Sequence, residues 1–319
     1  MNPPEKKTIA VFGATGAQGG AVASIFLDDP KLKSGWAVRA VTRDPEREAA
    51  QLLAKRGAEV VAADLNDLSS LVRVLQGCAA VFGVTNYWEK ANADIEVQQG
   101  RNLANAVKET GVQYYIWSSL LNVAELTNGR LPNVFHFDSK AKVEEYVREL
   151  GIPAAFFMAG FYMTGIPGEL LKPFPPNGVW TLAMPVKPDT PIPMFHPRDT
   201  GKFVKSMILN WDKVAGKRIL GATDYMTAQE VLDTFAGVFK KAGATAAYFQ
   251  VPEEVFRGTL KGQGMPDYVV SELYENARLM EEYGYYGGAS LDESKNLIQD
   301  RLTTWEEYVQ EAGPFRGLA

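Results

Sequence analysis

A glycine-rich stretch near the amino terminus constrains the fold of this chain more than any other feature. Residues 13–19 read GATGAQG, directly after the apolar run TIAVF and before a stretch with helical periodicity. A loop of this kind turns tightly from strand to helix and directs the amides of the helix N-terminus at an anion. In this context the glycine spacing is typical of a dinucleotide pyrophosphate site. The residues predicted to form it are Gly13, Thr15, Gly16, Ala17, Gln18 and Gly19.

Short apolar runs alternate with amphipathic stretches through the first half of the chain. Strands are indicated at 8–13, 36–43, 58–65, 79–86 and 114–120, and helices at 20–29, 47–57, 68–77 and 96–111. Apolar strands between amphipathic helices indicate a parallel sheet that is covered on both faces. Right-handed crossovers then favour a doubly wound Rossmann sheet. The predicted fold class is α/β, with a smaller α/β C-terminal lobe.

The character of the chain changes near residue 150, and this change predicts two units. Residues 1–157 form the expected Rossmann domain, and residues 158–319 form the smaller lobe for a substrate or a partner. The run IPAAFFMAGFYM (152–163) is predicted as a sixth strand, and RILGAT (218–223) as a later one. The prediction leaves open that the sixth strand and some later elements return to the sheet.

Composition limits the classes of function. The net charge of −5 disfavours direct binding to the phosphates of nucleic acid. A single cysteine, Cys78, fits a reducing compartment, and no apolar run approaches the roughly 18 residues of a membrane span. The scattered histidines and cysteine have no metal-ligand spacing. We therefore expect no metal and no membrane contact, and a cytoplasmic location with nuclear access left open.

The end of the second predicted strand bears on the choice of cofactor. It reads VTRDPER, which places Arg43 and Arg47 where a dinucleotide presents its adenosine ribose. A guanidinium pairs well with a phosphate, so these arginines favour NADP(H). Asp44 is the alternative, because an acid there binds the free ribose hydroxyl of NAD, and Arg47 also fits a solvated charge at a helix start. After the third strand, Asp64 and Leu65 are predicted beside the adenine, unless Asp64 caps the next helix.

The loop VTNYWEK (84–90) follows the fourth strand and adds Thr85, Asn86 and Tyr87 to the predicted cofactor site. Open α/β sheets bind ligands at this carboxyl edge. The adjacent aromatic residues Tyr87 and Trp88 fit either a ligand wall or a rim that packs on the second lobe.

The segment HFDSK (136–140) lies where many reductases carry Tyr-x-x-x-Lys. A four-residue spacing places His136 and Lys140 on one helix face, so Lys140 is predicted to reach the nicotinamide ribose. His136 is either a proton donor in place of the tyrosine or a structural residue. Ser118 and Ser119 are candidates for the accompanying hydroxyl. Asp138 or Ser139 is expected to cap the helix.

Four segments together resemble the NmrA-like family of atypical short-chain dehydrogenases/reductases, and the resemblance covers roughly residues 8–310. They are FGATGAQGG, VTRDPER, VTNYWE and HFDSKAKVEEYVRELGIP. The resemblance is nearest to the members regarded as NADPH sensors. It implies an NADP(H)-binding Rossmann protein, with Phe161, Tyr162 and Thr164 beside the nicotinamide.

The resemblance also carries two functional expectations. The first is a redox sensor with little or no dehydrogenase activity, which regulates a protein partner such as a transcription factor or a metabolic enzyme. The alternative is an NADPH-dependent reductase that transfers hydride to quinones, imines or other electron-poor small molecules, for which His136 and Lys140 are the doubtful catalytic candidates. Whether the chain is an enzyme, and whether it forms a homodimer, is left open.

Overall fold

The computed structural model describes residues 6–174 and 176–318. The strands in these ranges are β1 (Lys7–Val11), β2 (Trp36–Thr42), β3 (Glu59–Ala62), β4 (Cys78–Gly83), β5 (Tyr114–Ser119), β6 (Ala154–Ala159), β7 (Phe161–Tyr162), β8 (Leu171–Phe174), β9 (Val179–Met184), β10 (Ile192–Phe195), β11 (Arg218–Gly221), β12 (Asp224–Met226) and β13 (Ala247–Gln250). The α-helices are α1 (Ala17–Asp28), α2 (Pro30–Lys33), α3 (Glu48–Lys55), α4 (Leu68–Leu75), α5 (Ala93–Thr110), α6 (Val123–Leu126), α7 (Phe135–Glu149), α8 (Thr200–Leu209), α9 (Trp211–Val214), α10 (Ala228–Val238), α11 (Lys240–Gly243), α12 (Glu253–Gly262), α13 (Asp267–Glu282), α14 (Asp292–Leu297) and α15 (Trp305–Glu311).

The central sheet has seven strands in the order β11-β6-β5-β4-β1-β2-β3. Every neighbouring pair in it is parallel. The chain runs outward from β1 to β3 and then returns to the other side of β1 with β4, so the winding direction reverses between β1 and β4. This is the doubly wound Rossmann arrangement that the sequence predicts, and its crevice for ligands opens at the carboxyl ends of β1 and β4.

Alternate residues of β1 supply two separate hydrophobic clusters. Ile9 and Val11 pack with α1 and α8 on one face of the sheet. Ala10, together with Phe12 just beyond the strand, packs with α4, α5 and α7 on the other face. All four side chains are buried. Helices on both faces explain why β1 is continuously apolar from Ile9 to Val11 and does not alternate with polar residues there.

The predicted sixth strand, 152–163, is divided in the structure. Strand β6 ends at Ala159, and β7 starts at Phe161 in a different sheet. Between them the Gly160 amide donates to the Gly221 carbonyl at 2.9 Å. A Cβ at Gly160 would lie 2.6 Å from the Pro193 carbonyl oxygen, so only glycine fits where the chain leaves the sheet. The expectation of one continuous strand is therefore wrong.

Later elements return to the first half of the chain. Strand β11 extends the central sheet beside β6, and α8 packs against α1. The predicted boundary between residues 157 and 158 lies within β6. The division of the chain into two units at that point stays a prediction.

Two small sheets and a third hydrophobic cluster form the remainder of the C-terminal lobe. One sheet has the order β12-β10-β7, and the other has β13-β9-β8. The helical segment that follows β12 is interrupted at Phe239, which separates α10 from α11. Across residues 6–174 and 176–318, no helix has both the length and the apolar character that a membrane crossing requires.

Candidate functional site

The glycine loop has the geometry that a pyrophosphate site requires. Gly13 has φ +60°, a left-handed conformation, and the Gly16 amide donates to the Gly13 carbonyl at 2.8 Å. At Gly19, a Cβ would lie 2.3 Å from the Gly13 oxygen, so this glycine is needed for α1 to pack against the loop. The first turn of α1 carries no acidic side chain. Its free amides and dipole therefore favour an anion, and the loop fits a dinucleotide.

Two adjoining cavities open at the carboxyl edge of the sheet, and both are lined by Gly13, Asn86 and Tyr87. The outer cavity, about 420 Å³, lies at the ends of β2 and β3. The inner cavity, about 600 Å³, lies between the glycine loop and the C-terminal lobe. Predicted residues that line only the outer cavity are Thr15, Arg43, Arg47, Asp64 and Leu65. Those that line only the inner cavity are Gly16, Ala17, Gln18, Gly19, Thr85, His136, Lys140, Phe161 and Tyr162.

Both arginines of the outer cavity pair with carboxylates. Arg43 Nη1 lies 2.6 Å from Glu89 Oε1, and Arg47 Nε lies 3.4 Å from Asp44 Oδ2. The hydrogen bond between Arg43 and Glu89 raises the pKa of the guanidinium and lowers the pKa of the carboxyl group. Both arginine side chains are largely exposed, so they remain accessible to a ligand that competes for them. The arrangement by itself therefore permits either a ribose phosphate or a ribose hydroxyl.

Asp64 faces the outer cavity and does not cap a helix. Its Oδ1 accepts from the Asn66 amide at 2.9 Å, which forms a local turn. The N-cap of α4 is Asp67, whose carboxylate accepts from the Ser69 and Ser70 amides. The capping alternative for Asp64 is therefore wrong, and a role beside the adenine stays a prediction.

A chain of neutral hydrogen bonds crosses the inner cavity at the start of α1. Ser118 Oγ donates to Gln18 Oε1 at 2.8 Å, and Gln18 Nε2 donates to the Tyr162 hydroxyl at 2.8 Å. Ser119 donates instead to the buried carboxylate of Glu144 at 2.6 Å. Of the two serine candidates, Ser118 is thus the one linked to the glycine loop. Burial raises the pKa of the Tyr162 phenol, so Tyr162 stays protonated.

Lys140 is held by a buried carboxylate. Its Nζ pairs with Glu96 of α5, and Glu96 also accepts from Ser139 and, at 2.7 Å, from Thr85 Oγ1. Glu96 is 2% exposed and Lys140 is 8% exposed. Lys140 therefore reaches the cavity wall, but its charge is already neutralised.

His136 is fixed by the C-terminal lobe. Glu272 of α13 is 0% exposed, and its Oε1 lies 2.7 Å from both the backbone nitrogen and Nδ1 of His136. Its Oε2 accepts from the Tyr87 hydroxyl at 2.7 Å. The sequence left open whether Tyr87 forms a ligand wall or packs on the second lobe. In the structure Tyr87 does both, because it lines the cavities and donates to Glu272. With Nδ1 engaged, Nε2 is the ring nitrogen of His136 that remains for a ligand.

Helix α7 starts earlier than its predicted caps. Its N-cap is Val134, and Asp138 and Ser139 lie inside the helix. The prediction that either residue caps α7 is wrong, because carboxylates of α13 accept from amides near its start: Glu272 from His136, and Glu275 from Asn133 at 2.7 Å. Asp138 instead accepts from the Val123 amide at 2.6 Å, and burial raises the pKa of its carboxyl group.

Thr164 does not line either of the two cavities. It lines a separate groove beside α1, which it shares with His196, Lys202 and the predicted loop residues Thr15, Gly16 and Ala17. Four side chains in or beside the cavities were not predicted from the sequence: Glu89, Glu96, Glu272 and Asn276. Glu89 lies in the loop 84–90, two residues after Tyr87, so its position in that loop was a sequence signal for it. The others lie on helices whose polar residues look like ordinary surface positions in the sequence.

The reversed strand order and the glycine loop together define a Rossmann-type α/β protein with a ligand crevice at its switch point. The model of the NmrA-like family matches residues 5–309. This chain belongs to the NmrA-like family, as its motifs predicted.

Curated relatives of the chain include named oxidoreductases. The chain is 31% identical over 273 residues to the NmrA-like family domain-containing oxidoreductase notA of Aspergillus sp. (strain MF297-2), covering 79% of this chain and 78% of that protein. It is 32% identical over 273 residues to the oxidoreductase malD of Malbranchea aurantiaca, covering 77% and 76%.

Solved structures with the same fold include a regulator and an enzyme. NmrA, a negative transcriptional regulator in complex with NADP, superimposes with a TM-score of 0.79 at 25% identity, over 98% of this chain and 96% of that one. The same regulator has also been solved with NAD. The NADPH-dependent quinone oxidoreductase QOR2 of Escherichia coli shares the fold, with a TM-score of 0.71 at 22% identity over 95% and 98% of the two chains.

Proposed function

We propose that this chain is an NADP(H)-binding, redox-responsive regulator that acts without a tyrosine-dependent dehydrogenase centre. One observation carries the proposal. The buried carboxylate of Glu272 joins Tyr87, on the rim of both cavities, to His136, which replaces the usual tyrosine. A ligand that moves Tyr87 therefore acts directly on α13 and on the C-terminal lobe.

The residues proposed to hold the dinucleotide follow the two cavities. Amides of the loop 13–19 bind the pyrophosphate, and Arg43 and Arg47 bind the ribose phosphate after exchanging their carboxylate partners. Asp64 and Leu65 lie at the adenine end, and Lys140 with Thr85 faces the second ribose. The bound cofactor supplies two redox states, which differ in the charge of the nicotinamide ring. Because Glu96 already neutralises Lys140, the charge of the nicotinamide ring would act on the neutral polar groups around it and not on a free cation.

The proposed role requires a regulated protein partner, such as a transcription factor or a metabolic enzyme. The C-terminal lobe is the surface that responds to the cavity in this proposal, because α13 carries Glu272. Cytoplasmic and nuclear locations are both compatible with it.

The inner cavity favours a second candidate function, an NADPH-dependent reductase for an electron-poor acceptor. Trp88, Phe161 and Tyr285 give this cavity aromatic walls, and its volume of about 600 Å³ suits a small molecule. Glu272 orients the His136 ring through Nδ1, so Nε2 can hold the proton that completes the reduction. The curated relatives named as oxidoreductases support this candidate.

Hydrogen exchange measured with and without dinucleotide tests the regulator. We expect NADP⁺ and NADPH to slow exchange in residues 84–90 and to slow it by different amounts in α13. Tyr87→Phe keeps the ring but removes the hydroxyl that donates to Glu272, so protection should persist in 84–90 and disappear from α13. Tyr268→Phe removes an exposed hydroxyl from α13 itself and should behave like the unaltered protein.

The outcomes separate the two functions. Calorimetry that detects no binding of any nicotinamide dinucleotide contradicts both. Sustained loss of the reduced-nicotinamide absorbance with a quinone, imine or carbonyl compound contradicts the regulator without turnover and supports the reductase. Equal exchange in α13 for both redox forms contradicts redox sensing, although it leaves cofactor binding intact.

A further inference from the structure

A short 3₁₀ turn, Tyr87–Glu89, lies between the two cavities. Glu89 lines only the outer cavity, whereas Tyr87 lines both. The two side chains are bound to different parts of the molecule. Glu89 Oε1 lies 2.6 Å from Arg43 Nη1, and the Tyr87 hydroxyl donates to Glu272 Oε2 at 2.7 Å. The turn therefore connects the end of β2 to α13 through two polar contacts.

The two contacts of this turn differ in strength. The side chains of Arg43 and Glu89 are 64% and 36% exposed, and exposed ion pairs are weak because water and salt screen them. Tyr87 and Glu272 are 3% and 0% exposed, so their hydrogen bond is made in the interior, where a bond to a carboxylate is stronger. An added anion therefore breaks the contact to Arg43 more readily than the contact to Glu272.

The backbone just after the turn is strained. Ala91 has φ +44°, a left-handed conformation that is unfavourable for a residue with a Cβ. Its amide donates to the Tyr87 carbonyl at 2.8 Å, so the strained residue is bonded directly to the turn. Strain of this kind persists only where the surrounding contacts impose it. Loss of the contact to Arg43 therefore lets the turn relax toward its remaining contact with Glu272.

Glu89 and a ribose phosphate compete for the same guanidinium. The carboxylate offers Arg43 a single negative charge, whereas a phosphate monoester carries a charge of about −1.5 to −2 at pH 7 and has three acceptor oxygens. Arg47 and Lys90 add positive charge to the lining of the outer cavity, and the carboxylates of Asp44 and Asp64 oppose it. The phosphate is therefore the stronger partner for Arg43, and a free ribose hydroxyl is the weaker one.

We infer that Glu89 is a specificity-determining residue: the ribose phosphate of NADP(H) displaces its carboxylate from Arg43, and the released turn moves Tyr87 closer to Glu272. NAD(H) carries only a hydroxyl at that position, so it leaves the pair of Arg43 and Glu89 intact. The phosphate, in either redox state of the nicotinamide, is then a signal that reaches α13. The inference rests on the proposed function, because it takes the outer cavity as the adenosine end of the dinucleotide site.

Adenosine 2′,5′-bisphosphate tests the inference on the full chain, because it carries the ribose phosphate and has no nicotinamide. 5′-AMP is the matched compound without that phosphate. Hydrogen exchange is measured by mass spectrometry, with each compound at a concentration that calorimetry shows to be saturating. We expect the bisphosphate to slow exchange in α13 at least about threefold, as one strengthened hydrogen bond would, and 5′-AMP to leave it unchanged.

Variants of single side chains isolate each step. Glu89→Gln removes the competing charge, so α13 should exchange more slowly without any ligand, and the bisphosphate should add little further slowing. Glu293→Gln removes the carboxylate of another exposed pair, with Lys217 at 2.7 Å and outside both cavities, and should respond like the unaltered protein. In Tyr87→Phe the bisphosphate should bind but leave α13 unchanged, because the hydroxyl that donates to Glu272 is gone. Circular dichroism checks that each variant folds.

Each result bears on one claim. Failure of the bisphosphate to bind, or equal slowing by 5′-AMP, overturns the claim that the phosphate is the signal. Unchanged exchange in ligand-free Glu89→Gln overturns the role of Glu89. Slowing by the bisphosphate that persists in Tyr87→Phe overturns the route through Glu272. If NADP⁺ and NADPH act equally on α13 while the bisphosphate slows its exchange, redox sensing fails and the response to the phosphate stands.

Discussion

At the residue scale, carboxylates from distant parts of the chain hold the predicted donors of the site. Glu96 pairs with Lys140, and Glu272 binds His136. Both carboxylates are buried, so removing either one leaves an uncompensated polar or charged group in the interior, at a cost of about 3–5 kcal/mol for a buried pair. The Arg43–Glu89 pair is different, because it lies at the surface and can exchange partners.

Glu89 is the residue at which cofactor choice can be altered most simply. The Glu89 carboxylate pairs with Arg43 and places a negative charge beside the outer cavity. Glu89→Gln removes both the pairing and the charge. We expect the affinity for NADP⁺ to rise about fivefold while that for NAD⁺ changes little, because only NADP⁺ carries the extra phosphate. Isothermal titration calorimetry with both dinucleotides measures the difference.

The matched control for Glu89 is Glu253→Gln. Glu253 makes a similar surface pair with Arg257 at 2.7 Å on α12, away from both cavities. It should leave both affinities unchanged. An equal gain for NAD⁺ and NADP⁺ in Glu89→Gln would show that the ribose phosphate does not meet Arg43.

At the scale of elements, the contact between β1 and α1 decides whether the pyrophosphate site exists. The helix begins at Ala17, only a few residues after β1 ends at Val11. This short connection places the helix amides at the crevice, and it requires the close approach that Gly19 allows. The start of α7 shows a second dependence between elements, because Glu272 and Glu275 of α13 accept from amides there.

Gly19→Ala tests the first of these contacts. Its Cβ would lie 2.3 Å from the Gly13 oxygen and 2.4 Å from the Phe12 oxygen, so α1 must move away from the loop. We expect the free energy of unfolding to fall by about 1–3 kcal/mol, the usual cost of overpacking, and dinucleotide affinity to fall about tenfold or more. Urea unfolding and calorimetry measure the two effects.

Gly35→Ala is the control for Gly19, since a Cβ at Gly35 meets no heavy atom within 4 Å. Unaltered dinucleotide binding in Gly19→Ala would mean that the ligand does not use the start of α1. A loss of stability in Gly35→Ala as large as that in Gly19→Ala would mean that steric overlap is not the cause.

At the scale of the whole molecule, late segments of the chain complete the first half. Strand β11 and helix α8 join the central sheet and its helical layer. Just before α8, His196 accepts a hydrogen bond from the Arg198 amide at 3.1 Å. The centroid of its ring lies 4.8 Å from that of Tyr308, which belongs to α15 near the carboxyl end. Asp199, also buried, accepts from the Thr303 amide at 2.6 Å. This junction binds the end of the chain to its middle.

The pH dependence of stability reports on this junction. Burial, followed by the charge of Arg198, lowers the pKa of His196 below its ordinary value of 6.5. The folded protein therefore binds the proton less readily than the unfolded chain does. The contribution of His196 is fully present above about pH 6.5 and is lost as the pH falls toward its folded-state pKa.

His196→Asn should make stability less dependent on pH between neutral and mildly acidic conditions. Asparagine keeps a side-chain acceptor for the Arg198 amide but does not titrate. Urea unfolding over that range measures the change. His136→Gln alters the only other histidine of the chain and should retain the acid-induced loss that His196 causes. An unchanged pH profile in His196→Asn would contradict the assignment.

Local sequence determined the strand–loop–helix unit, the parallel sheet and the residues of the loop, because glycine spacing and apolar periodicity act over a few neighbouring residues. The four-residue spacing within HFDSK placed His136 and Lys140 on one cavity wall for the same reason. Sequence patterns failed where an element changes sheet, as at Gly160, since the close approach to the Pro193 carbonyl is not local.

Tertiary structure alone decided which partners the site residues have. Glu272 and Asn276 lie more than one hundred residues beyond His136 in the chain, and Glu96 lies 44 residues from Lys140. The local sequence pattern of a helix does not determine which buried group from another element its carboxylate or amide side chains will contact. Packing of α13 and α5 against α7 brings these groups together, and it thereby fixes the charge of the inner cavity.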